Sequence, residues 1–296
     1  RREILDYYLA KKAHVAALDD PAKRNALAAM TFGYSPVMIE HVLDEALVWA
    51  LRRGARRLSW ADVQKAKMTE EIGLKQPVEY TDEERLAIAT HEAGHATVAW
   101  LVGKSRKLEV LSIIKRKDAL GLLAHSDREE RFTRTRSEMD ELLRIAFGGM
   151  VAEELFFGET TTGVAGDLQA ATTTAAQMVG ALGMADSLFS YAAVQTPGAN
   201  LVSTVSASDE GRAAMDELLN QARDDVRDML KRHRRVVEAL RDALLERDEL
   251  IGEQILDTIR TVDAVAGEPT LVVSSVDEES TAEAGGEQVH RSREQA

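Results

Sequence analysis

The sequence contains no cysteine, which excludes disulfides, iron–sulfur clusters, thiolate zinc sites and a cysteine nucleophile. Any bound metal must therefore rely on histidine and carboxylate. Aromatic residues make up 5% of the 296 residues and proline numbers 5, while Ala, Leu and Glu are plentiful, a balance that favours helix over sheet. No apolar run approaches the roughly eighteen residues a membrane helix needs, and no signal-peptide pattern opens the chain. Positive charge is also short. Lys and Arg number 37 against 50 Asp and Glu, and the net charge of −13 makes a poor nucleic-acid or anionic-membrane binder. The first residue is Arg rather than Met, so the chain is expected to be part of a longer protein. At 45% hydrophobic and 29% charged, the composition is that of a soluble globular protein. Its length suits one large domain or two ordinary ones.

The pattern along the chain predicts a mainly α protein in two parts. A small helical unit is expected over residues 1–70. In it, Asp20-Pro21 and Ser35-Pro36 read as cap-plus-first-turn starts. Met38, Ile39, Val42, Leu43, Ala46, Leu47 and Ala50 recur at helical spacing until Gly54. Ser59 and Asp62 open a further short helix ending near Met68. Residues 71–80 read as a linker and 81–262 as the main domain. Thr81 and Glu84 form a capping box ahead of a helix that runs to Gly103. Leu108 to Ile114 is the best strand candidate, with a second strand possible around Gly121. Thr135 and Glu138 open a helix to Gly158, a Thr- and Gly-rich turn follows, and another helix is expected from about Asp167 to Leu182. Residues 209–260 are helical by period, with breaks near His233 and Asp248. Residues 263–296 have no aromatics and no period, and read as a disordered tail.

His91-Glu92-Ala93-Gly94-His95 is an HExxH pentapeptide inside the first helix of the main domain. Histidines at i and i+4 share a helix face, close enough for both rings to bind one ion. Glu92 beside them can reach a metal-bound water and serve as general base. Zinc would lower the pKa of that water to about 7 and polarise a peptide carbonyl. The competing reading is two solvated histidines on a surface helix. Leu86, Ile88, Ala89, Val98, Trp100, Leu101 and Val102 argue against it, because so apolar a helix belongs at the centre of a domain. The longer metzincin pattern fails at Val98 and Leu101, and Gly103-Lys104-Ser105 lacks the first glycine of a phosphate-binding loop. The ExxH element of di-iron bundles recurs only at Glu287 to His290, inside the expected tail.

A catalytic zinc takes three protein ligands and keeps one position open. His14, His41, His125, His233 and His290 stand in no ligand pattern and read as surface or interface residues. The third ligand is then a carboxylate on a later element: Glu153, Glu154 or Asp167. Asp167 also reads as a plain helix N-cap, and spacing alone does not choose among the three.

Taken together, these motifs resemble the protease half of the FtsH-type, membrane-anchored AAA zinc metalloproteases. The likeness extends from His91–His95 through Leu111-Ser112-Ile113-Ile114, Ala119-Leu120-Gly121, Gly148-Gly149 and Ala152-Glu153-Glu154-Leu155. It continues in Thr161-Thr162-Gly163, Asp167-Leu168, Ala171-Thr172 and Gly183-Met184, and the 246–255 stretch resembles the closing helical segment. Upstream, Thr31 to Ser35 and Asp44 to Leu47 look like the helical lid of an AAA ATPase. The resemblance implies a small AAA lid followed by an α-rich zinc endopeptidase with a short strand pair. It implies Zn2+ held by His91, His95 and Asp167, with Glu92 as the base. It implies that Leu108 to Ile114 is an edge strand beside the cleft, and that the chain forms a homo-hexamer acting on polypeptides. ATP and Mg2+ would belong to an upstream ATPase domain, since no ATP-binding loop is present. The fragment is expected to be soluble, and its parent to be membrane-anchored with this part on the cytoplasmic, matrix or stromal side. Departures occur at Met150-Val151 after the glycine pair, at Ala165-Gly166 before Asp167, and at Pro36-Val37-Met38 in the lid. An assembly module with an idle site leaves Glu92, His91 and His95 unexplained together. An iron oxygenase using His, His and carboxylate gives Glu92 no task.

Overall fold

The computed structural model describes residues 1–116, 119–128, 131–196 and 198–266. Helices α1 (Arg2–Leu9), α2 (Pro21–Met30), α3 (Pro36–Arg52) and α4 (Trp60–Ile72) come first. Asp20 accepts from the Ala22 amide and Ser35 from the Met38 amide, so the expected proline-led starts are in place. Asp62 accepts from both the amide and the hydroxyl of Ser59, closing the first turn of α4. The apolar faces of these helices meet in one cluster containing Leu5, Leu9, Leu27, Ile39, Leu43 and Val63. Helix α4 runs four residues past Met68. The stretch beyond it is tied down, because the Gln76 amide donates to the Lys115 carbonyl.

A second cluster shares no residue with the first and is built around α5 (Asp82–Val102). The Thr81–Glu84 capping box is formed in both directions. Every residue from Ala89 to Ala99 is buried, as the apolar flanks of the pentapeptide predict. Strands β1 (Arg106–Ser112) and β2 (Leu122–Asp127) follow, then α6 (Arg136–Phe157), capped by Thr135 and Glu138. A short 3-10 turn, Thr162–Val164, leads into α7 (Ala165–Gly180), followed by α8 (Leu201–Ser206), α9 (Asp209–Arg232) and α10 (Arg234–Arg247). Strand β3 (Glu249–Ile251) and α11 (Glu253–Ala266) complete the described chain.

Two helices cross with almost no clearance. A Cβ on Gly94 would lie 2.3 Å from the Gly148 carbonyl oxygen, and one on Gly148 would lie 2.7 Å from the His95 Cα. Glycine on both helices lets α5 and α6 approach backbone to backbone, which presses the pentapeptide against α6.

The sheet departs from expectation. Its order is β2-β1-β3, all antiparallel, so the strand expected at the edge is the central one. Strand β2 has β1 as its single neighbour among the described residues and is the edge that faces the cleft. The reason is β3, a three-residue strand that a helical period passes over. It is launched by Asp248 at φ 62°, with Arg85 of α5 donating to the Leu245 carbonyl and to Asp248. Helix α11 runs to Ala266, beyond the expected boundary at Val262, because Ile255 and Ile259 bury its inner face. The remaining residues assigned to the tail lie outside the described residues, as do Glu287 and His290. Among the described residues, no helix is long and apolar enough to cross a membrane.

Candidate metal centre

His91 and His95 sit one turn apart on the face of α5 turned towards α6 and α7, and each ring is held by its Nδ1. The Nδ1 of His91 lies 2.7 Å from Glu153 Oε1, and that of His95 lies 2.7 Å from the Ile145 carbonyl oxygen, both on α6. Both partners are acceptors, so each Nδ1 carries the proton and each Nε2 presents a lone pair. The two Nε2 atoms are 3.0 Å apart. Asp167 Oδ2 completes the triangle, 3.0 Å from Nε2 of His91 and 3.1 Å from Nε2 of His95. Two lone pairs and a carboxylate oxygen in mutual contact repel unless a cation lies between them. Ligands around one tetrahedral zinc keep about 3.3 Å from one another, so these atoms need to spread only slightly to hold it. The group fits zinc in donor type and in number.

Electrostatics agree with the geometry. Burial disfavours a charged His91, yet the hydrogen bonds to Asp167 and Glu153 outweigh it and raise its pKa to about 10. Burial likewise opposes ionisation of Asp167 and Glu153, but their histidine contacts win and hold both below the usual carboxylate range. With no metal that pull favours an imidazolium whose Nε2–H faces Asp167, and a bound cation would take the place of that proton, so the pocket is built to accept positive charge. Glu92 goes the other way, because burial raises its pKa with the histidines only partly offsetting. The residue is 6% exposed, and its carboxylate has no hydrogen-bond partner among the described residues. It rests against Gly121, where a Cβ would come within 2.5 Å of Oε1.

The three carboxylates that spacing left open are now apart. Asp167 joins the histidines. Glu153 is 1% exposed and bridges His91 to the Thr161 amide and hydroxyl, which anchors the turn leading to α7. Glu154 points away and pairs with Arg227 of α9. Asp167 is not the N-cap: Val164 occupies that position without a side-chain bond, and Asp167 is the third residue of the helix, within its first turn. Gly166 has open space around its Cβ position and an ordinary φ, so the departure there leaves the geometry undisturbed.

The trio and Glu92 open onto a cleft of about 680 Å³, walled by Ile88, Leu123, Leu142, Ile145 and Thr174. His125 also lines it, although no ligand pattern in the sequence marks it. A period-two reading of 123–125 would have found it, since Leu123 and His125 share one face of β2. Of the other histidines, His14 pairs with Asp19, His41 with Glu70, and His233 with the Met229 carbonyl. Gly149 was legible only as part of a motif. A Cβ there would lie 2.4 Å from the His91 ring. Gly149→Ala is therefore expected to weaken zinc by about 10–100-fold, the range seen when a ligating histidine loses its orientation. Helix propensity alone would stabilise the fold by about 1 kcal/mol. Chelator competition beside a thermal melt separates the two effects, and wild-type zinc affinity would count against this role.

A helix-borne histidine pair, a carboxylate and a buried glutamate at an apolar cleft define a zinc metalloendopeptidase. The chain belongs to peptidase family M41, whose family model matches residues 78–258. It is similar to the ATP-dependent zinc metalloprotease FtsH of Caldicellulosiruptor bescii, with 30% identity over 86% of this chain and 42% of that one. The FtsH of Chloroflexus aggregans is 32% identical over 85% of this chain and 41% of its own, and that of Cupriavidus metallidurans 29% over 87% and 40%. The chain thus spans about two-fifths of the length of these curated relatives.

Proposed function

We propose that this chain is the proteolytic part of an FtsH-like, ATP-dependent protease that degrades unfolded or membrane-extracted polypeptides. The observation that carries the reading is the convergence of His91 Nε2, His95 Nε2 and Asp167 Oδ2 beside Glu92 in one cleft. His91, His95 and Asp167 would hold the metal. Bound zinc would supply Lewis acidity and lower the pKa of water at the site. Glu92, raised in pKa by burial, takes the proton of the attacking water and returns it to the leaving amine nitrogen. Glu153 and the Ile145 carbonyl keep both rings in the tautomer that presents Nε2. The edge of β2, unpaired on its outer side among the described residues, suits an extended peptide joined by main-chain hydrogen bonds, which favours unfolded chains of varied sequence.

Residues 1–70 are read as an AAA lid, 71–80 as the connection, 81–262 as the peptidase and 263–296 as a tail. The names of the FtsH relatives support an upstream ATPase domain in the parent, and the resemblance supports a homo-hexamer, membrane-anchored through that parent. The charge of −13 speaks against nucleic-acid partners. Metal analysis joined to casein digestion with and without chelator tests the reading, which expects about one zinc per chain and digestion abolished by the chelator. The 296 residues contain no ATP-binding loop, so this chain is expected to cleave small or unfolded peptides without ATP. It should fail on stably folded proteins, whose unfolding costs about 5–15 kcal/mol. ATP-stimulated digestion of a folded substrate by this chain alone would overturn that expectation.

A further inference from the structure

Beside Leu123 on the cleft face of the edge strand β2, His125 is the polar side chain that the chemistry above leaves unused. Its Nδ1 accepts from Arg106 Nε at 2.6 Å. A guanidinium has only donors, so Nδ1 carries no proton and Nε2 must be an N–H. Arg106 is itself fixed. Its Nη1 lies 3.1 Å from Asp127 Oδ1, and Asp127 is gripped in turn by Arg134 at 2.8 Å. The ring is thus set in one tautomer and one orientation by a row of three charged partners. Burial, then Arg106, pushes the pKa of His125 down to about 4, with His95 and Arg134 adding to the effect and Asp127 opposing it. The imidazole therefore stays a neutral donor throughout the neutral range.

We propose that His125 determines specificity: its Nε2–H selects, at one subsite of the bound peptide, a side chain bearing a hydrogen-bond acceptor, either a carboxylate or an amide. The claim rests on the peptidase reading above. Gly121, against Glu92, marks where chemistry occurs; it immediately precedes β2, and His125 lies four residues further along the chain within that strand. At about 3.3 Å per residue that is about 13 Å of strand, which places the subsite a few residues from the scissile bond. A donor in an apolar-walled cleft discriminates sharply. A matching acceptor satisfies it, whereas an apolar isostere leaves the N–H desolvated and unpaired. Aspartate, asparagine and leucine are close in shape, so a comparison among them isolates the hydrogen bond from size.

The test uses the zinc-loaded chain with a set of fluorogenic peptides in which each position around the cleavage site carries Asp, Asn or Leu in turn. Wild type is expected to favour Asp or Asn over Leu at one position by about tenfold in kcat/KM, the ratio a single satisfied hydrogen bond produces. His125→Phe should erase or reverse that preference, while zinc content and turnover of the Leu peptide stay near wild type. His125→Gln keeps a donor and should retain part of the preference, which also covers the case in which the Phe variant folds poorly. A readout independent of turnover comes from 15N-labelled histidine in the Glu92→Gln protein. The His125 Nε2 signal should shift on binding the Asn peptide and not the Leu peptide. A wild-type profile with no position-specific preference, or one unchanged in His125→Phe, would overturn the proposal. Failure of wild type to cleave any peptide of the set would instead overturn the peptidase reading.

Discussion

Glu92→Gln is expected to abolish peptide cleavage, by about 10²–10⁴-fold or more, while the chain still carries about one zinc. The substitution keeps the size and shape of the side chain and removes its ability to take a proton. Glu92 lies outside the triangle of His91, His95 and Asp167, so those three remain to hold the metal. Its surroundings set its role. Burial keeps the carboxylate's pKa high, which makes it a stronger base than a solvated one, and Gly121 gives it room against the edge strand. Glutamine at this place has the same neighbours and no charge to desolvate, so the fold should be at least as stable as wild type. Zinc content by mass spectrometry, a melt and fluorogenic turnover on one sample make the comparison. Wild-type turnover in the metal-loaded variant would remove Glu92 from the chemistry.

The parts of the site that were legible in sequence are those set by a single helix. The pentapeptide needs only helical spacing to bring His91 and His95 onto one face, and its apolar flanks already say that the face is buried. Capping boxes at Thr81 and Thr135 are equally local, since cap and partner lie three residues apart. Contacts made across elements were harder to read. Glu153 and Glu154 are neighbours on one helix, about 100° apart, and nothing local says which faces α5. Their difference arises from the Thr161 turn on one side and Arg227 of α9 on the other. The misplaced edge strand has a similar cause. Which strand is outermost depends on β3, contributed from more than a hundred residues downstream and only three residues long. His125 passed for a surface residue because its partner Arg106 belongs to a different strand.

Asp167→Ala is expected to strip most of the zinc and with it all activity, with little change in the fold. The side chain sits in the first turn of α7, where an acidic residue stabilises the helix by about 0.3–1 kcal/mol through the dipole. If that were its whole function, the variant would melt slightly lower and keep its metal. The distances argue otherwise, because Oδ2 touches Nε2 of both histidines and no basic residue of α7 competes for it. Removing it leaves two imidazoles, one ligand short of the three that hold a catalytic zinc. The neighbouring carboxylates supply the controls. Glu153→Gln keeps an acceptor for the His91 ring, so it should retain measurable metal, with affinity down by about 10–100-fold. Glu154→Gln loses only a partly exposed pair with Arg227, worth about 0–1 kcal/mol, and should bind zinc as wild type does. Zinc titration of the three variants thus gives a graded order: Asp167→Ala weakest, Glu153→Gln intermediate and Glu154→Gln unchanged. Full occupancy and normal turnover in Asp167→Ala would return that residue to a helix-stabilising role. The third ligand would then have to be sought at Glu153, the remaining carboxylate in contact with the histidine pair.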